Sequence, residues 1–381
     1  MKIIIAPDSF KGSVSSTKAA LAIERGIKSV LSDCETICIP MADGGEGTVE
    51  AILAITGGKE IYENVNDPLG RPIQASFGWV EEERTAVIEV AAASGLPLLK
   101  KEELNPDQAS TYGTGQLVKR ALDLGAKKII IGLGGSATVD AGTGLLQALG
   151  VKFFNQHEEE IIMGGGRLGE IDRIDTDELD IRLLQTEVVI ASDVMNPLLG
   201  EEGAVNVFGA QKGVREDEMD VFESGMNHFA NVVVETVQKD YRQAHGAGAA
   251  GGIGFSLLSF LNARLQSGFS LISELSNLKE QIRTAQIVMT GEGKMDKQSL
   301  YGKVPIGIAK IAKEFDIPVC AFTGKFEGDM QLFKQHGIPI IVPIVDGPMD
   351  VTTAMNRGEE LLEKAAERLM IWGQAFSKVI K

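Results

Sequence analysis

The chain has 381 residues, 44% hydrophobic and 24% charged, with 44 glycines, a formal net charge of −16 and a pI near 4.8. That length predicts about two domains, and the composition excludes wholesale disorder. The acidic balance without a basic stripe excludes nucleic acid as a partner, three cysteines (Cys34, Cys38, Cys320) without a CxxC pair exclude a disulfide framework or structural zinc, and no run approaches the roughly 18 apolar residues that span a bilayer, so the expectation is a soluble, cytoplasmic chain with no membrane partner.

The N-terminus, MKIIIAPDSF, is too short for a secretory signal and reads as a first strand, residues 3–6, ending in Pro7-Asp8-Ser9-Phe10-Lys11-Gly12-Ser13. Ser15 or Ser16 can cap the next helix, which puts Ile23, Ile27, Val30 and Leu31 on one face. A second strand, 36–40, runs into an acid-glycine turn with Asp43, and a helix over 49–55 stops at Gly57-Gly58. Pro68 to Pro72 is a turn. Residues 74–79 and 85–90 alternate apolar and polar across Glu81, Glu82 and Glu83, which predicts an antiparallel hairpin. Strands, helices and long glycine turns then mix up to about residue 283.

The opening pattern resumes at 286–290, an apolar strand ending in a turn, Gly291-Glu292-Gly293-Lys294-Met295-Asp296. A helix around 305–315, a strand at 318–323, a short helix at 330–336, a strand at 338–345 and a closing helix at 352–370 follow. Two βα units at the front and three at the back predict an α/β fold, a parallel sheet of five strands interrupted by an insertion. Residues 1–65 plus 285–381 are expected to form one discontinuous domain, and 66–284 an inserted α/β domain with a mixed sheet. Ligands of doubly wound sheets sit outside the carboxyl ends of the strands, where the acid-glycine turns fall.

Residues 129–144, IIIGLGGSATVDAGTG, carry the densest chemistry. Gly132, Gly134, Gly135, Ser136 and Thr138 offer N–H groups and hydroxyls where a strand is expected to give way to a helix, the usual backbone cradle for phosphate. No Lys or Arg stands inside that turn, so an anion there is expected to be held by dipoles. The turn at 246–254, with Gly248 and Gly251, offers a second set of N–H groups. GxGxxG matches at 246–251 and 164–169 follow no convincing strand. The 132–137 run follows one, but its acid about twenty residues on would come from Glu158 to Glu160, inside a polar stretch. A Walker A motif is absent.

Strand-end acids Asp8, Asp43, Asp193 and Asp296 suit Mg²⁺ ligation or acceptance of a hydroxyl proton, though each alone could cap a helix or make an Asx turn. Glycine-flanked Lys11, Lys212, Lys294 and Lys303 can reach a transferring phosphoryl group; an isolated lysine is more often plain surface. The histidines (157, 228, 245, 336) show no ligand spacing, and no GxSxG elbow or Cys/His pair supports covalent hydrolysis.

Gly132 to Ala137 resembles the glycine-serine loop of homoserine and mevalonate kinases, without the rest of their pattern. A fuller match comes from APDSFKGS (6–13), MADGGEGT (41–48), DPLGRP (67–72), AAASGL (91–96), STYGTG (110–115), GLGGSATVDAGTG (132–144), SDVMNPLLG (192–200), GAGAAGGIGF (246–255) and TGEGKMDKQSLYGK (290–303). Together these resemble the two-domain bacterial glycerate kinase family from residue 2 to at least 345. The resemblance implies a flavodoxin-like domain with an inserted α/β domain, ATP as phosphoryl donor, Mg²⁺, and D-glycerate as acceptor. The 2-phosphoglycerate product is favoured and 3-phosphoglycerate stays open.

Carried onto this chain, the motifs imply Asp8, Lys11, Asp43, Ser136, Asp193, Glu292, Lys294, Asp296 and Lys303 as site residues. Lys11 and Lys294 are expected to neutralise the γ-phosphoryl, and Asp43 or Asp8 to accept the hydroxyl proton. Asp193 or Asp296, with Glu292 nearby in sequence to the latter, would hold Mg²⁺; Arg71, or Lys303 with Ser94, would clamp the carboxylate. Turns 132–138 and 246–254 would hold nucleotide phosphates. The rival readings are an NAD-dependent hydroxy-acid dehydrogenase using the same glycine turns and a non-catalytic sugar-acid sensor. A homodimer stays open.

Overall fold

Ile3, Ile4 and Ile5 are all fully buried, the uninterrupted apolar run of a strand covered on both faces. The computed structural model describes residues 1–162, 164–301 and 303–379, with Gln298, Tyr301 and residues 377–379 described by backbone alone. Gly302, within the 290–303 motif, lies outside the described residues. Strand Lys2–Ile5 pairs in parallel with Glu35–Cys38 on one side and Ile287–Asp296 on the other. Val319–Glu327 and then Ile340–Pro343 extend the sheet, also in parallel.

Among the described residues this makes a five-stranded parallel sheet, as the sequence predicts, in the flavodoxin-like strand order 2-1-3-4-5. The order reverses between Lys2–Ile5 and Ile287–Asp296, so their carboxyl ends diverge to leave a crevice. One expectation is corrected here. Residues 291–296 are not a turn but the continuation of the strand, kept in register by Val319–Glu327 through Lys294 opposite Lys325 and Asp296 opposite Glu327.

Helix Ser16–Lys28 begins where Ser15 Oγ accepts from Lys18 N, and it packs against the long helix Gly358–Val379. At Gly26 a Cβ would lie 2.1 Å from the Glu363 carbonyl oxygen, so glycine sets how closely the two helices cross. Among the described residues no helix is long and apolar enough to cross a membrane.

The chain divides into two compact units, Met1–Asp43 with Glu50–Thr56 and Phe269–Lys381, and Gly44–Val49 with Gly57–Gly268. The second unit has a mixed sheet in the order Arg264–Gln266, Glu187–Ala191, Lys128–Gly132, Thr85–Glu89, Pro72–Val80, Lys59–Asn66. The first four run parallel, and the last two join as antiparallel neighbours. The predicted hairpin is present, with Gly78 opposite Val87.

Lys59–Asn66 pairs along its whole length with Pro72–Val80 and so goes with the second unit. Leu278–Arg283 packs on helix Val304–Lys313, and Phe269 packs on Gly307, so both go with the first.

Candidate active site

In the first unit a cavity of about 490 Å³ opens at the carboxyl ends of the strands. Asp8 enters it from the loop after Lys2–Ile5, and Lys11 follows on the tight Phe10-to-Val14 turn, where Phe10 N bonds Val14 O. Gly12 holds that turn at φ +75, beyond the easy reach of other residues. Asp43, Glu292, Lys294, Lys303 and Lys325 are its other charged lining residues. Apolar side chains, Ile344, Val345, Met349 and Met355, line it as well. Six of the expected residues are thus brought together by strand topology across nearly 300 positions of sequence.

Asp8 is 7% exposed. Burial raises its pKa to about 7, with the charges of Asp43 and Glu292 adding to the rise, while the Ser9 backbone N–H (2.7 Å) and Lys11 oppose it. Lys11 Nζ lies 2.9 Å from Asp43 Oδ2. Burial works to lower the Lys11 pKa, but Asp43, and then Asp8 and Glu292, carry it above its usual value. Glu292 is 5% exposed; Lys303 Nζ donates to its Oε2 at 3.3 Å, and its Oε1 is buried with no hydrogen-bond partner among the described residues. Burial raises the Glu292 pKa, partly offset by Ser299 and Lys303. Lys294 bonds Glu327 at 2.8 Å and Asp296 at 3.1 Å, and these acids hold its pKa up.

Of the remaining expected residues, Asp296 also lies in the first unit, at the end of strand Ile287–Asp296, and the others fall in the second. Strand Lys128–Gly132 does not lead straight into a helix: Thr143–Ala148 begins only after Gly142. Turn 132–138 therefore has no helix N-terminus of its own, contrary to the sequence expectation. Its glycines answer to packing. A Cβ on Gly132 would meet the Gly44 carbonyl at 2.8 Å, and one on Gly134 would meet Gly45 Cα at 2.4 Å. Gly135 takes φ +72.

Ser136 and Thr138 are buried, and both are bound by a lysine that the sequence flagged only as glycine-flanked. Lys212 Nζ donates to Ser136 Oγ at 2.7 Å and to the Thr138 carbonyl at 2.8 Å. The sequence expectation is of dipoles alone at this turn; the structure adds the Lys212 amine, which arrives from a segment far off in sequence.

Turn 246–254 also turns out irregular. Ala250, Gly251 and Gly252 adopt left-handed conformations in succession within Ala249–Phe260. A Cβ on Gly248 would meet the Pro197 carbonyl at 2.2 Å, and one on Gly251 the Thr138 carbonyl at 2.1 Å. Asp193 is exposed just after strand Glu187–Ala191. Ser94 is fully buried, its hydroxyl 2.8 Å from that of Thr114. The Arg71 guanidinium bonds Asp67 at 2.5 Å and Glu103 at 2.6 Å, which braces the 67–71 turn.

Among the described residues no three His, Cys, Asp or Glu side chains are grouped to hold a metal by themselves. Mg²⁺ needs less, since it binds through one or two carboxylates with phosphate oxygens and water. The buried Oε1 of Glu292, without a hydrogen-bond partner among the described residues, is a hard oxygen of that kind.

The glycerate kinase family profile matches residues 3–374. The chain belongs to the glycerate kinase family. It is 45% identical over 366 residues to a glycerate kinase of Bacillus subtilis (strain 168), with 96% of each chain covered. To a glycerate 2-kinase of Escherichia coli (strain K12) it is 44% identical over 345 residues, 91% of each. A crystal structure from Salmonella typhimurium LT2, assigned to glycerate kinase 2, superposes with a TM-score of 0.88 at 37% identity over 99% of both chains. The family match makes the chain an enzyme and removes the dehydrogenase and sensor alternatives.

Proposed function

We propose that the chain transfers the γ-phosphoryl group of ATP to the 2-hydroxyl of D-glycerate. The observation that carries this reading is the first unit's cavity, where a buried carboxyl with a pKa of about 7 stands among lysines at the sheet's switch point. A general base works best when its pKa lies near the operating pH. Asp8 meets that condition, whereas Asp43 is engaged with Lys11, so Asp8 is the residue we assign to take the hydroxyl proton. Phosphoryl transfer otherwise needs positioning and charge neutralisation, the task of Lys11 and Lys294.

The apolar lining of Ile344, Val345, Met349 and Met355 suits the purine base, since glycerate has no apolar face to cover it. Turn 132–138, with 246–254, offers backbone N–H groups for anionic oxygens. Glu292 is the fitting first ligand for Mg²⁺, with Asp296 and Asp193 as further candidates. The ion would neutralise phosphate charge. Acceptor position is supported by the name of the E. coli relative, a glycerate 2-kinase.

The test is ADP release with D-glycerate and ATP, followed by phosphorus NMR of the product. A 2-phosphoglycerate signal is expected. A 3-phosphoglycerate signal would overturn the choice of hydroxyl, and no glycerate-dependent ADP would overturn the activity.

A further inference from the structure

Lys212 is 2% exposed, burial that a lysine rarely reaches without a paired carboxylate. Among the described residues none stands within ion-pair distance. Its partners are neutral oxygens, Ser136 Oγ and the Thr138 carbonyl. Gly251 leaves it room: a Cβ there would lie 2.9 Å from Nζ. The lysine ends the short helix Ala210–Lys212, and the next residue, Gly213 at φ +98, packs on Leu104 and Pro106. Three segments distant in sequence thus converge on one amine. Beside it the Thr138 hydroxyl is buried, with no hydrogen-bond partner among the described residues.

A tie between loops does not require a charge, and an ammonium among neutral groups is costly to bury. Such a group is useful where an opposite charge arrives. We infer that Lys212 is a positioning residue of turn 132–138, fixing Ser136 and Thr138 and supplying the positive charge that an anionic phosphate bound on the turn requires. This rests on the reading of that turn as an anion cradle. Burial pushes the Lys212 pKa down to about 7 against the field of Asp140, which itself accepts hydrogen bonds from Thr111, Gly142 and Gly144. The other groups facing it, Ser136, Thr138 and Gly251, are neutral. Above pH 7 the amine is therefore largely uncharged until an anion arrives, and binding then draws a proton from solvent.

The experiment is calorimetric titration of Mg-ATP into the whole protein at pH 6.5–8.5, in buffers of differing ionisation enthalpy, for wild type, Lys212→Met, Lys212→Arg and Ser136→Ala. Wild type should take up roughly one proton more than Lys212→Met at pH 8, and its affinity should fall towards about tenfold per pH unit above 7. Lys212→Met should bind at least tenfold more weakly at pH 6.5 and lose the slope. Lys212→Arg, always charged, should bind without the slope, which keeps the idea testable if the methionine variant does not fold. Wild-type proton uptake in a folded Lys212→Met would overturn the role of Lys212, while weakened binding in Ser136→Ala would leave the cradle standing. Wild-type affinity in both Ser136→Ala and Lys212→Met would overturn the cradle itself.

Discussion

Replacing Asp8 with asparagine should make the enzyme slower and the fold more stable. The side chain keeps its shape, and its Oδ1 can still accept the Ser9 N–H bond of 2.7 Å, so the change removes charge and basicity with little else. Loss of a general base costs about 10²- to 10⁴-fold in turnover, roughly 3–5 kcal/mol of barrier. A rise in pKa from the ordinary 3.8 to about 7 puts the penalty for holding the charged form on the order of 4 kcal/mol. Its sign follows from proton binding. Between pH 4 and 7 the folded state binds more protons than the unfolded one, so the Asp8 contribution is present below about 4 and lost as pH rises to about 7. Asp8→Asn should therefore melt higher than wild type at pH 8 and near it at pH 4. In kcat/KM, measured by coupled ADP release, wild type should show an ascending limb centred near pH 7, and the variant should lack it. Near-normal turnover with the limb intact would refute Asp8 as base. A variant no more stable than wild type at pH 8 would refute the burial argument.

Lys11→Ala should lower kcat at least 100-fold, the size expected for losing a transition-state charge partner, with the KM for glycerate changed much less in steady-state assays. Glu292→Gln, Asp296→Asn and Asp193→Asn should separate in Mg²⁺ titrations of activity: we expect Glu292→Gln to raise the half-saturating concentration about tenfold, and an unchanged titration would remove Glu292 from the metal site. Gly251→Ala should destabilise the chain by about 2 kcal/mol or more, because it adds a Cβ at φ +72 against the Thr138 carbonyl at 2.1 Å; urea denaturation reads the loss.

Much of the fold was legible because it follows local rules. Ile3 to Ile5 and residues 286–290 announce buried parallel strands, and the hairpin across Glu81 to Glu83 announces itself by alternation. What escaped depends on partners far off in sequence. Residues 291–296 look like a turn because glycines and charges dominate them, yet the neighbouring strand Val319–Glu327 holds them extended. Glycine density pointed to ligand contact at 132–138, while Gly132 and Gly134 serve packing against Gly44 and Gly45; both uses favour a missing Cβ, and spacing does not separate them. The cavity's charged residues were legible as strand-end acids and glycine-flanked lysines. Its apolar lining was not, because Ile344, Met349 and Met355 carry no motif. Lys212 was visible as a lysine between glutamine and glycine, but its burial depends on segments 132–138 and 251, which no local pattern links to it.

The raised pKa of Asp8 bears on binding as well as chemistry. A chain of net charge −16 must admit two anions, but charges farther than about 8 Å are largely screened at physiological ionic strength, so the local set decides. There Lys11, Lys294 and Lys303 are each bonded to a carboxylate, which spends part of their attraction in advance. A protonated Asp8 removes one negative charge from that set and favours entry of phosphate and glycerate. In the role proposed for Asp8, the same proton has to be gone before it can take the substrate's. On that proposal binding favours pH below about 7 and the chemical step favours pH above it. A carboxyl with its usual pKa would be a poor base at neutral pH and would repel the substrate there; burial at 7% exposure raises Asp8 to about 7, between the two demands of the proposed role.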